Sequence, residues 1–452
     1  MKRLLSGFLV TVFIFTTLAA CGTGAAQPAD QTKEDAAAQV STQTPEVTPA
    51  EPPKEPEKLS LWHIQVSKTY SPIIEAAVER FEKDNPNVTV DIVTAENDPY
   101  KTKLKVAAGS GDAPDVFHSW GGGWLEAFVK EGSVMDLTAE LDKDDWRSMY
   151  FPAALSMCQF EGKNYGIAYD LSVTPVYYNK ALFTKYNVAV PTTWTEFLAA
   201  VKTFKDNGII PISIANQTKW PGALLFVYLC NRIGGEQVFL DALARKNGAT
   251  FEDPTFIEAG KKIQELVDMG AFPEGFNGMN YDTGSSRILM YSDKAAMQIQ
   301  TGGFYGVVKG EAADFFNEKL GMFPFPTVEG GKGNPTNVVG GVNAFSISSK
   351  TTHKESAIKL LKYLTDATTS QEIVDKAGKL PVVNGVKPGD PGQQMLADML
   401  SKANYLQGYY DQFLPPELGE LHKDTTQAIY GKTMTPEEAA KKMEEKAKEI
   451  IK

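Results

Sequence analysis

Strand and helix patterns alternate along the chain from residue 59 to residue 452, and this alternation constrains the fold more than any other feature. Residues 59–64 have the apolar spacing of a strand, and a helical pattern begins at Ser71. Residues 88–92 then alternate as a second strand. Alternating elements of this kind predict an α/β fold with a mainly parallel, covered sheet.

A second series of elements begins near Tyr169. A strand-like run at residues 173–178 is followed by a helix that opens with the capping-box pair Thr193 and Glu196. Together the two series contain more residues than a single hydrophobic core usually holds. We therefore expect two domains.

The N terminus has the order of a bacterial export signal. Lys2 and Arg3 precede an apolar stretch at residues 8–15, and small residues then lead to Cys21. The run at residues 18–22, LAACG, is similar to a lipobox, at which lipoprotein precursors are lipidated and cut. It predicts a signal peptide at residues 1–20 and a palmitate-type lipid anchor on Cys21, and an ordinary cleaved signal is the alternative.

Residues 21–58 contain many Ala, Thr, Gln, Pro, Glu and Lys residues and few large apolar ones, which predicts a disordered linker. No later segment offers the roughly 20 apolar residues of a membrane span, so the lipid would be the only membrane contact. The net charge of -11 argues against a nucleic-acid partner. Cys158 and Cys230 are expected to be buried thiols, with one disulfide as the alternative.

Aromatic residues fall where predicted strands end, which is where open parallel sheets bind ligands. Trp62, Trp120 and Trp220 follow strands, and Trp124 comes soon after. An apolar ring can stack on a pyranose while nearby amides and carboxylates meet the hydroxyl groups. Trp120 and Trp220 are the candidate sugar platforms, whereas Trp62 and Trp124 fit packing roles better.

Other site chemistries fit the sequence less well. The glycines at residues 121–123 precede a helix and could hold an anion, but no phosphate-loop lysine or serine completes that motif. The tandem tyrosines at residues 177–178 and 409–410 lack a convincing set of iron ligands beside them. No metal-binding spacing occurs, so we expect neither metal nor cofactor. A glycosidase pair of carboxylates stays open.

Several stretches of the chain together resemble the extracellular solute-binding proteins of carbohydrate ABC transporters. They are FEKDNPNVTV at residues 81–90, GSGDAPDVF at 109–117, YGIAYDLSVTPVYYNKALF at 165–183, PTTWTEF at 191–197 and VGGVNAFSIS at 339–348. The resemblance implies a periplasmic-binding-protein-like fold, with two α/β lobes that close over a sugar in the cleft between them.

The resemblance also implies that the chain crosses between the lobes near Tyr169–Asp170, Ser292 and Gly340–Gly341. Lobe 1 would then comprise residues 59–169 and 293–341, and lobe 2 residues 170–292 and 342–452. The loops after Ile64, His118, Ile214 and Gln300, with residues 409–412, would line the cleft.

These observations predict a non-enzymatic receptor that delivers an oligosaccharide, such as a xylo-oligosaccharide, to permease subunits. It would be a monomer on the extracytoplasmic face of a Gram-positive cell membrane. The alternatives are a lipid-anchored glycoside-acting enzyme and a binder of metal, polyamine or peptide. The expected stacking residues are Trp120, Trp220 and one of Phe304 or Tyr305, beside Gly121 and Gly303. The expected hydrogen-bonding residues are Asp170, Asn97, Gln217, Asn343 and Asp411.

Overall fold

A computed structural model of the protein describes residues 55–451. The predicted signal at residues 1–20, the lipidation site Cys21 and most of the predicted linker lie outside the described residues. The first strand begins at Glu57, two residues before the predicted start of the folded body.

The strands of the described chain are β1 Glu57–His63, β2 Val88–Thr94, β3 Val116–Trp120, β4 Gln159–Phe160, β5 Lys163–Asn164, β6 Ile167–Val173, β7 Val176–Asn179, β8 Ile210–Ile212, β9 Ala295–Ile299, β10 Leu320–Phe323, β11 Val338–Ile347 and β12 Leu406–Gly408.

The α-helices are α1 Ser71–Asp84, α2 Asn97–Ser110, α3 Gly123–Lys130, α4 Thr138–Leu141, α5 Pro152–Ser156, α6 Lys180–Lys185, α7 Trp194–Asp206, α8 Trp220–Gly234, α9 Glu236–Leu243, α10 Pro254–Asp268, α11 Ser285–Tyr291, α12 Gly303–Glu311, α13 Lys354–Leu364, α14 Ala367–Ala377, α15 Pro391–Ser401, α16 Tyr410–Phe413, α17 Pro416–Tyr430 and α18 Pro436–Ile450. Short 3₁₀ turns lie at Trp146–Met149, Lys246–Gly248 and Phe276–Gly278, and a π turn lies at Phe315–Lys319.

The strands form two main sheets, as expected for a two-lobe α/β fold. The first sheet has the order β12-β11-β3-β1-β2, and β6 also pairs with β11. The second sheet has the order β10-β7-β9-β8. Most buried apolar side chains of the first sheet belong to one core, which includes Leu61 and Phe345, and most of those of the second sheet belong to another, which includes Phe197 and Met297.

The prediction of a mainly parallel sheet is wrong, because both sheets are mixed. β1 runs parallel to β2 and β3, but β11 runs antiparallel to β3 and β6. In the second sheet β8 and β9 are parallel, whereas β7 is antiparallel to β9 and β10. β7 and β11 are the strands that enter a sheet after the chain has crossed from the other one. Local apolar periodicity does not show whether a strand runs parallel or antiparallel to its neighbours.

Strand pairing also differs from the predicted lobe boundaries. Residues 293–341 were expected in lobe 1, yet β9 pairs with β7 and β8 in the second sheet. Residues 342–452 were expected in lobe 2, yet β11 lies in the first sheet and α13 packs against it. The chain changes sheet between β6 and β7 and again between β10 and β11. It does not change sheet at Ser292, because β9 extends the second sheet.

Local signals in the sequence place several elements correctly. The capping box is present, with the Thr193 side chain accepting from the Glu196 N–H and the Glu196 side chain accepting from the Thr193 N–H. Cys158 and Cys230 are unpaired buried thiols, and they lie in different cores. Burial raises the pKa of the Cys158 thiol to about 12. Within residues 55–451, no helix combines the length and the apolar character that a bilayer span needs.

Candidate functional site

Both halves of the fold border one cavity of about 230 Å³, called here the cleft cavity. Ile64, after β1, and Trp120, at the end of β3, border it on the side of the first sheet. Leu224 and Val227 of α8, which belong to the second core, border it on the other side. The predicted strand-end loops therefore do meet at a cavity.

Six of the residues predicted to bind ligand border the cleft cavity: Asn97, Trp120, Trp220, Gly303, Asn343 and Asp411. The loop at residues 409–412 borders it as well. Five others do not: Gly121, Asp170, Gln217, Phe304 and Tyr305.

Trp120 is both a core residue and a wall of the cavity. Its side chain is only 1% exposed, and its ring packs edge-on against His118 and Trp124, with centroids 4.5 and 4.7 Å away. The Lys101 Nζ lies 4.7 Å from the Trp120 ring centroid, within cation–π distance. These contacts fix the ring before any ligand arrives.

Trp220 is half-buried and packs edge-on against Tyr281, another cavity residue, at 4.7 Å. It begins α8, and Asn216 anchors this helix start. The Asn216 Oδ1 accepts from the Gly222 N–H at 3.0 Å, and the Gln427 Nε2 donates to the Asn216 carbonyl at 2.6 Å. The more open side chain of Trp220 makes it the better candidate for direct stacking.

The prediction that Phe304 or Tyr305 faces the ligand does not match the structure. Phe304 is 1% exposed and packs against Tyr177 at 4.8 Å. Tyr305 packs against Phe316, and its hydroxyl donates to the Asp390 Oδ1 at 2.7 Å. Both lie on α12 but point into the first core, whereas Gly303 and Val307 of the same helix border the cavity.

The glycines at the start of α3 serve packing rather than ligand binding. A Cβ on Gly121 would lie 2.5 Å from the Met157 carbonyl oxygen, and one on Gly123 would lie 2.4 Å from the Phe413 carbonyl oxygen. The Gly122 N–H already donates to Met157. The turn needs glycine because neighbouring backbone passes so close to it. Gly121 is thus corrected from a ligand contact to a packing residue.

Asp170 is fully buried and acts through two side chains that do border the cavity. It accepts a hydrogen bond from the Tyr70 hydroxyl, and its two oxygens accept from the Asn343 Nδ2 at 3.0 and 3.1 Å. Asp170 therefore holds Tyr70 and Asn343 in place in the cavity wall. Gln217 is exposed and lies outside the cavity. Its backbone N–H donates to the Met279 carbonyl.

Sequence reasoning missed a buried ion pair that involves Asp411 of the cavity wall. The Lys101 Nζ lies 2.8 Å from the Asp411 Oδ2, and the two side chains are 6% and 9% exposed. Burial would raise the pKa of Asp411, but Lys101 and the nearby Lys423 together lower it. The only local signal was that Lys101 adjoins Tyr100 and lies three residues before Leu104, on the buried face of α2.

A second buried lysine joins the same helices. Lys423 of α17 is 0% exposed, and its Nζ lies 2.6 Å from the Asp98 Oδ1 and 2.9 Å from the Glu420 Oε1. Burial alone would lower the Lys423 pKa, but the surrounding carboxylates raise it well above its ordinary value. Buried ion pairs therefore hold α2 against α16 and α17.

Asp282 borders the cavity, and its pKa is raised to about 6 by burial and by the negative charges of Glu96 and Asp98. Its folded pKa exceeds that of an unfolded aspartate, so the stability it contributes is complete below about pH 4 and lost as pH rises through about 6. Asp282→Asn is therefore expected to stabilise the protein at pH 7.5 and to change little at pH 4. Chemical denaturation at both values checks this, and an equal effect at both would contradict it.

Among residues 55–451, no group of three or more His, Cys, Asp and Glu side chains is placed to hold a metal ion. The cavity wall instead combines indole rings, amides, hydroxyls and a few charged groups. That mixture suits a polar ligand with apolar ring faces.

Residues 65–371 match the family of bacterial extracellular solute-binding proteins. The chain is 24% identical to the multiple sugar-binding protein of Streptococcus mutans, over 73% of this chain and 77% of that protein. It is 33% identical to a solved structure from work on xylan utilization by the thermophilic bacterium Caldanaerobius polysaccharolyticus. That match has a TM-score of 0.81 and covers 86% of this chain and 99% of the other.

A chitin oligosaccharide binding protein has the same fold, with a TM-score of 0.80 at 24% identity, over 87% of this chain and 98% of the other. The two sheets, the cavity that both halves border and the family match over most of the chain agree. The chain belongs to the bacterial extracellular solute-binding proteins, among those that serve carbohydrate ABC transporters.

Proposed function

We propose that this receptor captures an oligosaccharide in the cleft cavity and delivers it to ABC permease subunits. The main support is that Trp120 and Trp220, from opposite halves of the fold, border the same cavity together with Asn97 and Asn343. Two indole rings and two amides match the ring faces and hydroxyls of linked sugars. The likeness to a protein studied for xylan utilization favours a xylo-oligosaccharide.

Ligand binding would be coupled to closure of the cleft. A sugar that contacts Trp120 on one side and Trp220 on the other makes both contacts only when the halves are close together. Such a ligand favours the closed state by its differential affinity for that state. The closed form would be the one that docks on the permease.

The proposal includes a lipid anchor at Cys21 and a monomeric receptor on the outer face of the cell membrane. A lipoprotein's acyl chains would hold the protein near the permease, while the linker at residues 22–58 leaves the cleft free to sample its surroundings. Metabolic labelling with a fatty acid should mark the wild-type protein and not Cys21→Ser. Equal labelling of the two would refute the anchor.

Calorimetric titration with xylo-, cello-, malto- and manno-oligosaccharides tests the ligand class. We expect heat with at least one series, with xylo-oligosaccharides the first candidates. Heat with peptides, polyamines or metal ions and none with any sugar would overturn the proposal.

The enzyme alternative is tested with the same sugars. Asp282 and Asp411 both border the cavity, but Asp411 is held in an ion pair with Lys101. We expect chromatography after long incubation to return each oligosaccharide unchanged. Products of hydrolysis or transfer would contradict a receptor without enzymatic activity.

Trp220→Ala is expected to weaken oligosaccharide binding by about tenfold or more, because it removes a stacking face worth about 1.5 kcal/mol. Trp62→Ala is the matched control, since Trp62 is also half-buried but lies outside the cavity beneath the Lys103 Nζ, 4.0 Å from the ring centroid. Calorimetry on both variants should show a loss for Trp220→Ala alone. Equal affinities for both would remove Trp220 from the site.

A further inference from the structure

We propose that the cleft cavity binds the carboxylate of a uronic acid unit within its oligosaccharide. The binding point is the α12 corner, which comprises Lys379, Ser172 and the N-terminal residues Gly302 and Gly303 of α12. This inference rests on the proposed function, because it assigns an acidic sugar to the same cavity.

Lys379 provides an ammonium group that has no counter-ion in the described part of the chain. It borders the cavity, and no carboxylate of residues 55–451 lies within 4.0 Å of its Nζ. Lys379 is the only lysine among the described residues that border the cavity, and the nearby Lys101 is already paired with Asp411. The Lys379 ammonium is therefore available to pair with a negative charge that a ligand supplies.

Close backbone contact brings Lys379 to the start of α12. A Cβ on Gly306 would lie 2.3 Å from the Ala377 carbonyl carbon, and one on Gly378 would lie 2.5 Å from the Gly306 nitrogen. Gly378 also has a φ of +67°, which favours glycine. As a result, the Lys379 Nζ lies 3.0 Å from the point that a Cβ on Gly303 would occupy.

The N-terminus of α12 adds backbone donors at the same place. The Phe304 and Tyr305 N–H groups donate to the carbonyls of Thr301 and Gly302. The N–H groups of Gly302 and Gly303 donate to no acceptor among the described residues. Free N–H groups at a helix start, with the positive end of the helix dipole, favour an anion.

Ser172 is the independent sign of a ligand. Its side chain is only 4% exposed and borders the cavity, and its Oγ makes no hydrogen bond of normal geometry within the described chain, although the Tyr409 hydroxyl lies beside it. That Oγ lies 3.1 Å from the point that a Cβ on Gly302 would occupy. A buried hydroxyl without a partner is uncommon in a folded protein. It can donate to an anion at the start of α12.

The three parts of the α12 corner all offer donors, and together they carry net positive charge. A neutral sugar hydroxyl needs both donors and acceptors, whereas a carboxylate only accepts. The carboxylate of a uronic acid projects from the sugar ring, so one ring can rest on an indole while its acid group reaches the corner.

The test is calorimetry on the protein with three ligands: xylotetraose, xylotetraose with a glucuronic acid branch, and the methyl ester of that branched sugar. The acid is expected to bind about tenfold more tightly than its ester, since a charge-assisted hydrogen bond is the difference. Lys379→Met should reduce the acid-to-ester ratio to about one. Lys103→Met removes the same charge outside the cavity and should leave the ratio unchanged.

Ser172→Ala is the second variant, in case Lys379→Met does not fold, and it should also lower the acid-to-ester ratio. Equal affinity of wild type for acid and ester overturns the inference and leaves the proposed function in place if neutral xylotetraose binds. Binding of none of the three sugars overturns both. A ratio that persists in Lys379→Met or in Ser172→Ala also overturns the α12 corner.

Discussion

Replacing Asp411 with alanine is expected to lower the free energy of unfolding by about 3–5 kcal/mol, because it leaves a buried ammonium group without its counter-ion. Lys101 is 6% exposed and pairs with Asp411 at 2.8 Å. Its charge would remain inside the protein after the substitution, and Lys423 would lose a neighbouring negative charge as well. The expected loss in the free energy of unfolding therefore comes from an unpaired buried charge and not from one lost contact alone.

Chemical denaturation of Asp411→Ala measures this cost, and Glu417→Ala is the matched control. Glu417 also pairs with a lysine of α2, with its oxygen 3.0 Å from the Lys105 Nζ, but both side chains are more than half exposed. An exposed pair of this kind contributes at most about 1 kcal/mol. A loss in Asp411→Ala as small as that in Glu417→Ala would contradict the buried-charge account.

Acid is expected to destabilise the protein steeply between about pH 6.5 and pH 4. Burial lowers the pKa of His63 and of His422 to about 4, although Asp411 partly opposes the shift at His422. Burial, aided by positive charge from His63, Lys101 and Lys379, holds the pKa of His118 well below its ordinary value. All three rings are therefore neutral in the folded protein near neutral pH.

The sign follows from proton uptake on unfolding. Between these pH values the unfolded chain binds protons that the folded chain excludes, so the free energy of unfolding falls as pH falls. One histidine contributes about 1.4 kcal/mol per pH unit, and three contribute about 4 kcal/mol per unit. Protonation of Asp282, with its pKa of about 6, opposes this trend in part.

Denaturation curves at several pH values measure the slope. His422→Leu removes one buried ring and should lower the slope by about a third. A slope that His422→Leu leaves unchanged would show that this buried histidine does not contribute to the acid sensitivity.

Much of the candidate site could be predicted because strand ends can be recognised from local sequence patterns. Trp120 ends β3 and Trp220 begins α8, and both border the cleft cavity as predicted. The expectation that residues after a strand end face the cavity was wrong for Phe304 and Tyr305. It places a residue near the end of a strand but does not say which face of the following helix turns towards the cavity.

The sequence carries no local signal of contacts between residues that lie far apart along the chain. Lys101 and Asp411 lie 310 residues apart, and neither neighbourhood indicates the other. The same limit explains the lobe boundaries, since the crossing between β10 and β11 depends on which sheet each strand joins. The start of α1 at Ser71 was predicted correctly because amphipathic spacing is local.

A crystal structure of the protein with the oligosaccharide that binds most tightly is the sharpest test of ligand capture in the cleft cavity. We expect a sugar in that cavity, with one ring stacked on Trp220 and another part of the oligosaccharide beside Trp120 and Asn343. A sugar bound elsewhere on the surface, with the cavity empty or filled by protein side chains, would contradict it.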